Sequence, residues 1–165
     1  VLYSEAEVNL PKALQAQKRL EALNSTIRIE AYPFRLTTEN AKEIFTHYDI
    51  IVDGCDNFAT RYVIDDTCAL LNKIYVYGAI RMFEGQVSVF RYDKGGKRYR
   101  DLYPDEEEMR SLPHPPKGVM GVTPGIIGCA EANEVIKIIC EYGNILAGKL
   151  WQIDLKTMET YTILL

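Results

Sequence analysis

Several familiar chemistries are absent from this 165-residue sequence. No G-x-G occurs anywhere, so the sequence holds neither a phosphate-cradling glycine loop nor a dinucleotide fingerprint. The cysteines Cys55, Cys68, Cys129 and Cys140 form no C-x-x-C pair, which removes the redox and zinc-knuckle motifs that need one. There is no apolar run of about 18 residues to span a bilayer, and no secretory leader pattern. An excess of positive charge is missing too. The net charge of -4 and pI of 5.3 leave no basic footprint for nucleic acid. An initiator methionine is also lacking, and the chain opens on Val1-Leu2-Tyr3.

What is present is ordinary for a globular chain. Hydrophobic residues make up 47% and charged residues 25%, enough for one domain with a core across residues 1–165. The four cysteines read as buried, reduced thiols, which favours a reducing compartment. Leu10, Ala13, Leu14, Ala16, Leu20 and Leu23 keep helical spacing over Pro11–Leu23. Thr26–Ala31 alternates like a strand, and Thr38–Phe45 reads as a short capped helix. Asp49–Asp53 is nearly all apolar, the pattern of a parallel strand buried on both faces. A helix is expected over Asn57–Leu71, a buried strand over Lys73–Gly78 and an alternating strand over Gly85–Tyr92. Residues 93–118 show no period and hold four prolines, so they read as a long loop. A helix over Thr123–Tyr142, stopped by Gly143, precedes two closing strands at Lys149–Asp154 and Glu159–Leu165. This order predicts an α/β fold, Rossmann-like, with a mostly parallel sheet and an antiparallel extension. Because the order begins with a helix, the first βα unit is expected to be missing.

The sharpest local signal is Asp53-Gly54-Cys55-Asp56-Asn57, at the carboxyl end of a buried strand. Ligands of open α/β sheets bind at that edge. Asp56 has the hard carboxylate oxygens that suit a Mg²⁺ riding on phosphates. Asn57 suits a phosphate or ribose, and either residue also suits the cap of the following helix. Arg61, one turn on, would face the same ligand or pair with Asp65 at i+4; on spacing alone the ion pair is favoured. Lys12, at a helix start, can reach phosphate oxygens or simply stay solvated.

Five stretches, in order, resemble the ThiF/MoeB/HesA adenylyltransferases, relatives of the ubiquitin-activating enzymes. Pro11-Lys12 ends a segment similar to the one that follows the family's N-L-x-R-Q. Leu20–Asn24 resembles L-x-x-L-N. Asp53–Asn57 with Arg61 resembles D-x-x-D-N-x-x-x-R. Gly78–Val87 resembles the G-x-x-R-x-x-G-Q-V strand pair. Gly118–Lys137 resembles G-V-L-G-x-x-P-G-I-I-G-x-x-Q-A-x-E-x-x-K. The resemblance implies an ATP- and Mg²⁺-dependent enzyme that adenylylates the terminal Gly-Gly carboxylate of a ubiquitin-like sulfur carrier, of thiamine or molybdopterin type. It assigns catalysis to Asp56 and Lys12, nucleotide binding to Lys12, Asp56, Asn57 and Arg61, and Mg²⁺ to Asp56. It further implies a cytoplasmic homodimer.

The departures from that family are equally concrete. With the glycine loop absent, these 165 residues alone are expected to bind ATP weakly or not at all. Arg98 and Asp101 stand where one zinc-binding cysteine pair would fall, so no structural zinc is expected. His114 stands near the position of a crossover-loop cysteine, which argues against a covalent carrier step. Gly143–Leu150 imitates a P-loop but joins a helix to a strand, the reverse of what phosphate cradling needs. Asp105–Glu108 reads as a solvated loop or first helical turn. Two other readings stay open: a carrier-binding or dimerisation scaffold without chemistry, and, less favoured, a nicotinamide-binding domain.

Overall fold

A computed structural model describes residues 2–93, 96–112 and 118–165. The chain divides into two compact units, Val1–Leu36 and Thr37–Leu165.

The first unit is small and open. A single 3-10 turn at Glu5–Glu7 precedes helix α1, Lys12–Leu23, whose N-cap is Pro11. None of α1's residues is buried. The segment after it is extended and is tied back where Gln17 Nε2 donates to the Ile29 carbonyl at 2.7 Å. The alternation over Thr26–Ala31 does not produce a strand. Alternation gives a strand its faces, but only a hydrogen-bonded neighbour makes it one, and these residues join no ladder among the described residues.

The second unit is α/β. Its sheet runs β1 (Ile50–Val52), β2 (Ile74–Arg81), β3 (Glu84–Phe90), β4 (Lys149–Asp154) and β5 (Glu159–Leu164), in that spatial order. β1 and β2 are parallel, and the other neighbours are antiparallel. The parallel part of this mixed sheet is therefore one pair, and the antiparallel extension supplies the rest. β2 runs on to Arg81, beyond the expected end at Gly78, because β3 stays paired with it after β1 has stopped.

Helices α2 (Thr38–Thr46), α3 (Phe58–Leu71) and α6 (Val122–Cys140) surround the sheet. α3 packs on α2 and β2, and α6 packs on β2 and β3. Residues expected to be a long loop contain two short helices, α4 (Tyr99–Leu102) and α5 (Glu106–Ser111), the second capped by Asp105 on Glu108 N–H at 2.8 Å. Helices of four and six residues are too short to print a period. The acidic run thus opens α5. Residue Glu141, at φ 53, rather than Gly143, makes the left-handed stop of α6. Residues 143–148 form the expected helix-to-strand turn, fastened where Lys137 Nζ donates to Asn144 O and Leu146 N–H donates to Glu134. Cys68 is buried and Cys55 partly so, but Cys129 and Cys140 are exposed on α6, against expectation. They sit on the helix face turned away from β2 and β3.

The two faces of the sheet carry different cores. Toward α6, Val87, Ile127 and Ile153 are buried with Ile80, Ile126 and Ala130. Toward α3 and α4 the core is aromatic: Tyr62, Tyr75, Tyr77, Phe90 and Tyr99 are all buried. Their rings meet edge-on or tilted, as with Tyr62–Tyr99 at 5.2 Å.

Candidate active site

β1 ends in a built turn. Asp53 N–H makes the last rung to Val76 O at 3.0 Å, and then the chain leaves the sheet. The Asp53 carboxylate is 1% exposed and receives three donors: Cys55 N–H at 2.7 Å, Arg61 Nε at 3.0 Å and Tyr75 OH at 2.9 Å. Burial, then Asp53, pushes the Tyr75 hydroxyl far above its ordinary range, so it stays a donor. Arg61 also donates to Cys55 O at 2.8 Å and to Gly78 O at 3.4 Å, and lies over the Tyr77 ring at 5.4 Å. The pair is closed on every side, which is what a buried ion pair needs to offset desolvation.

This settles Arg61's geometry. It does not pair with Asp65, and its guanidinium is spent on Asp53 and two carbonyls rather than held out at the surface. Asp65 is instead gripped by Arg98 Nη2 at 2.8 Å and Tyr99 N–H at 3.0 Å. Sequence spacing missed both partners, because Asp53 lies across a turn and Arg98 lies 33 residues away. Arg98 and Asp101 cap α4 together, with Arg98 N–H donating to Asp101 Oδ2 at 2.7 Å. Arg98 and Arg100 then reach Asp66, and Arg100 and Arg110 reach Glu106. An ion-pair network thus binds α3, α4 and α5 where a zinc pair would fall. His114 lies outside the described residues.

Held by that buried pair, the turn presents Asp56 and Asn57 outward. Asn57 is the N-cap of α3, accepting Thr60 N–H at 2.9 Å through Oδ1. Its Nδ2 is left to donate to Asp56 Oδ1 at 3.3 Å. Asp56 is exposed, and that long contact is its one hydrogen bond among the described side chains. Cys55, just before them, is inert: burial, then Asp53, pushes its thiol up to about 12. Among the described residues no three His, Cys, Asp or Glu side chains converge on a metal position. A lone outward carboxylate suits Mg²⁺, which keeps its waters and takes most of its ligands from phosphates.

In the first unit, Lys12 is exposed at the first position of α1, with its carbonyl accepting from Tyr3 OH at 3.3 Å. Glu131 of α6 is a residue the sequence did not single out. It is buried at 7% exposed, and its Oε1 has no hydrogen-bond partner among the described residues. The signal was available: Thr123, Ile127, Glu131 and Glu134 form one buried stripe at helical spacing.

The chain is 46% identical over 159 residues to a sulfur carrier protein adenylyltransferase of Thermus thermophilus, covering 93% of this chain and 59% of that protein. It is 44% identical over 162 residues to a probable molybdopterin-synthase adenylyltransferase of Porphyra purpurea, covering 96% and 42%. The chain thus spans about half the length of the curated relatives it matches. Among solved structures, E. coli MccB with ATP superimposes with a TM-score of 0.78 at 18% identity, over 99% of this chain and 50% of that one. PaaA does so at 0.80 and 15%, over 99% and 50%. At those identities the likeness is one of fold. The ThiF family pattern matches residues 1–165, and with relatives this similar over almost its whole length, the chain belongs to the ThiF family.

Proposed function

We propose that this chain supplies the nucleotide-facing edge of an enzyme that adenylylates the C-terminal Gly-Gly carboxylate of a ubiquitin-like sulfur carrier protein. One observation carries the reading. An outward carboxylate, Asp56, and a capping amide, Asn57, sit where a buried strand meets a helix N-terminus, held there by a closed ion pair. The names of the Thermus and Porphyra relatives, both adenylyltransferases, support the same chemistry. The carrier is of thiamine or molybdopterin type.

The reaction is attack of the carrier carboxylate on the α-phosphate of ATP, giving an acyl-adenylate and pyrophosphate. A carboxylate is already nucleophilic at neutral pH, so no general base is required. The protein's part is alignment and charge neutralisation. Asp56 is the residue to hold Mg²⁺, which when bound neutralises phosphate charge. Asn57 Nδ2 is the donor toward phosphate or ribose, and the N-terminus of α3 favours an anion. Lys12 is assigned to the phosphates. Arg61 acts indirectly in this scheme, by fixing the loop through Cys55 O. The full-length enzyme is proposed to be a cytoplasmic homodimer.

Calorimetric titration of Mg·ATP into the full-length protein tests the reading. Asp56→Asn, which alters only an exposed side chain, should weaken binding by about tenfold or more, worth about 1.4 kcal/mol, and leave the melting temperature unchanged. Equal affinity in both proteins, or no nucleotide binding at all, would favour a carrier-holding scaffold.

A further inference from the structure

We propose that Glu131 is a positioning residue for the Asp53–Asn57 turn, and that it acts in its protonated, uncharged form. This rests on the proposed function for what the turn binds, but not for how the turn is held.

The geometry is centred on Gly78. A Cβ built on Gly78 would lie 2.3 Å from Glu131 Cδ and 2.4 Å and 2.6 Å from its two carboxyl oxygens. The Glu131 carboxyl therefore fills the space that a side chain at position 78 would take. The carbonyl of the same glycine accepts from Arg61 Nη2 at 3.4 Å. Gly78 is thus flanked by α6's carboxyl at its Cα and by α3's guanidinium at its carbonyl.

Charge counting then fixes the protonation state. One cation, Arg61, lies near two buried carboxyls and pairs with one of them, Asp53. Asp53 accepts Arg61 together with Cys55 N–H and Tyr75 OH. Glu131 Oε1 accepts nothing among the described residues. A carboxylate with a buried oxygen that lacks a donor is driven toward its protonated form. Burial, then the Asp53 charge, against an opposing pull from Arg61, pushes the Glu131 carboxyl up to about 8. No other facing group alters the count. From β2, the residues on the α6 face are Val76, Gly78 and Ile80, and none carries a charge. From β3, Gly85 and Val87 meet α6 with no charge. On α6 itself, Glu134 and Lys137 are paired with each other.

While Glu131 is neutral, Arg61 belongs wholly to Asp53 and Cys55 O, and the turn carrying Asp56 and Asn57 is fixed. Once Glu131 ionises, it competes for the same guanidinium, and the turn loosens. The pH window follows from the raised value. Between 4.5 and about 8 the folded state holds a proton the unfolded chain has lost, so stability falls as pH rises and then levels.

The test compares the full-length protein with Glu131→Gln, which keeps the shape of the neutral acid. Amide hydrogen exchange at residues 54–57 is read against β3 amides as an internal control, at matched pH. At about pH 7 the two proteins should exchange alike. At about pH 9, one unit above the transition, only about one molecule in ten keeps the proton. The wild type should there lose about tenfold in protection at 54–57 relative to Glu131→Gln, with β3 unchanged. The Mg·ATP KM should rise in parallel in the wild type alone. Equal protection at both pH values, or loss spread uniformly over β3, would overturn the proposal. A protein with no ATP-dependent activity would sink the adenylylation reading, and the exchange data would still decide the role of Glu131.

Discussion

The two faces of the sheet solve different problems. The α6 face is centred on Val87, Ile127 and Ile153, packed aliphatic side chains, with a few buried polar groups, Thr123, Glu131, Glu134 and Lys137, contributed by α6 itself. The α3 face is built from five buried aromatics, four of them tyrosines, around a buried ion pair. Most of its hydroxyls find partners, and Tyr99 OH has none among the described residues. Tyr62 OH donates to Tyr103 O at 2.9 Å, and Gln86 Nε2 donates to Tyr77 OH at 2.5 Å and Tyr103 OH at 3.0 Å. An aliphatic face tolerates volume-conserving change, whereas a polar network must be complete to be stable. The proposed nucleotide-facing edge grows from the demanding face, and the faces meet at Gly78, where Arg61 and Glu131 approach one residue from two helices.

The largest effect should come from breaking the polar face at its centre. Asp53→Ala leaves Arg61 buried without its counter-ion and should cost about 3–5 kcal/mol in urea unfolding. A loss below about 1 kcal/mol would mean that the pair is solvated. Gly78→Ala tests the meeting point. Its new methyl collides with Glu131, and the expected cost is about 1–3 kcal/mol, larger than for a glycine with open space such as Gly54.

Next in size is Asn57, where the cap coincides with the proposed ligand contact. Asn57→Ala should lose about 1 kcal/mol in thermal unfolding together with nucleotide binding, whereas Asn57→Ser should keep the cap and lose only the amide donor. If Ser restores both, the amide has no ligand role. The smallest change is a gain at the end of α6. Glu141 sits at φ 53, and Glu141→Gly should raise stability by about 1 kcal/mol, read as an increase in Tm.

The place of Asp56 and Asn57, between a buried strand and a helix start, was legible in the sequence because an all-apolar run ending in Asp-Gly reads as a strand end followed by a turn. The helices α1, α2, α3 and α6 were legible from their spacing and caps. Arg61's true partner was not, because helix spacing points to Asp65 while the fold delivers Asp53 across a turn. The Arg98–Asp65–Asp66 network was not legible either, because it depends on contacts more than 30 residues apart. Thr26–Ala31 shows the converse: its pattern is locally sound, and strand formation waits on a neighbour.

Carrier-dependent exchange of labelled pyrophosphate into ATP tests the central claim most directly, using the full-length protein with Asp56→Ala as control. The account predicts exchange that requires a Gly-Gly-tailed carrier and vanishes in Asp56→Ala, while the variant keeps the wild-type Tm. Exchange that survives in Asp56→Ala, or its absence with every such carrier, would contradict it.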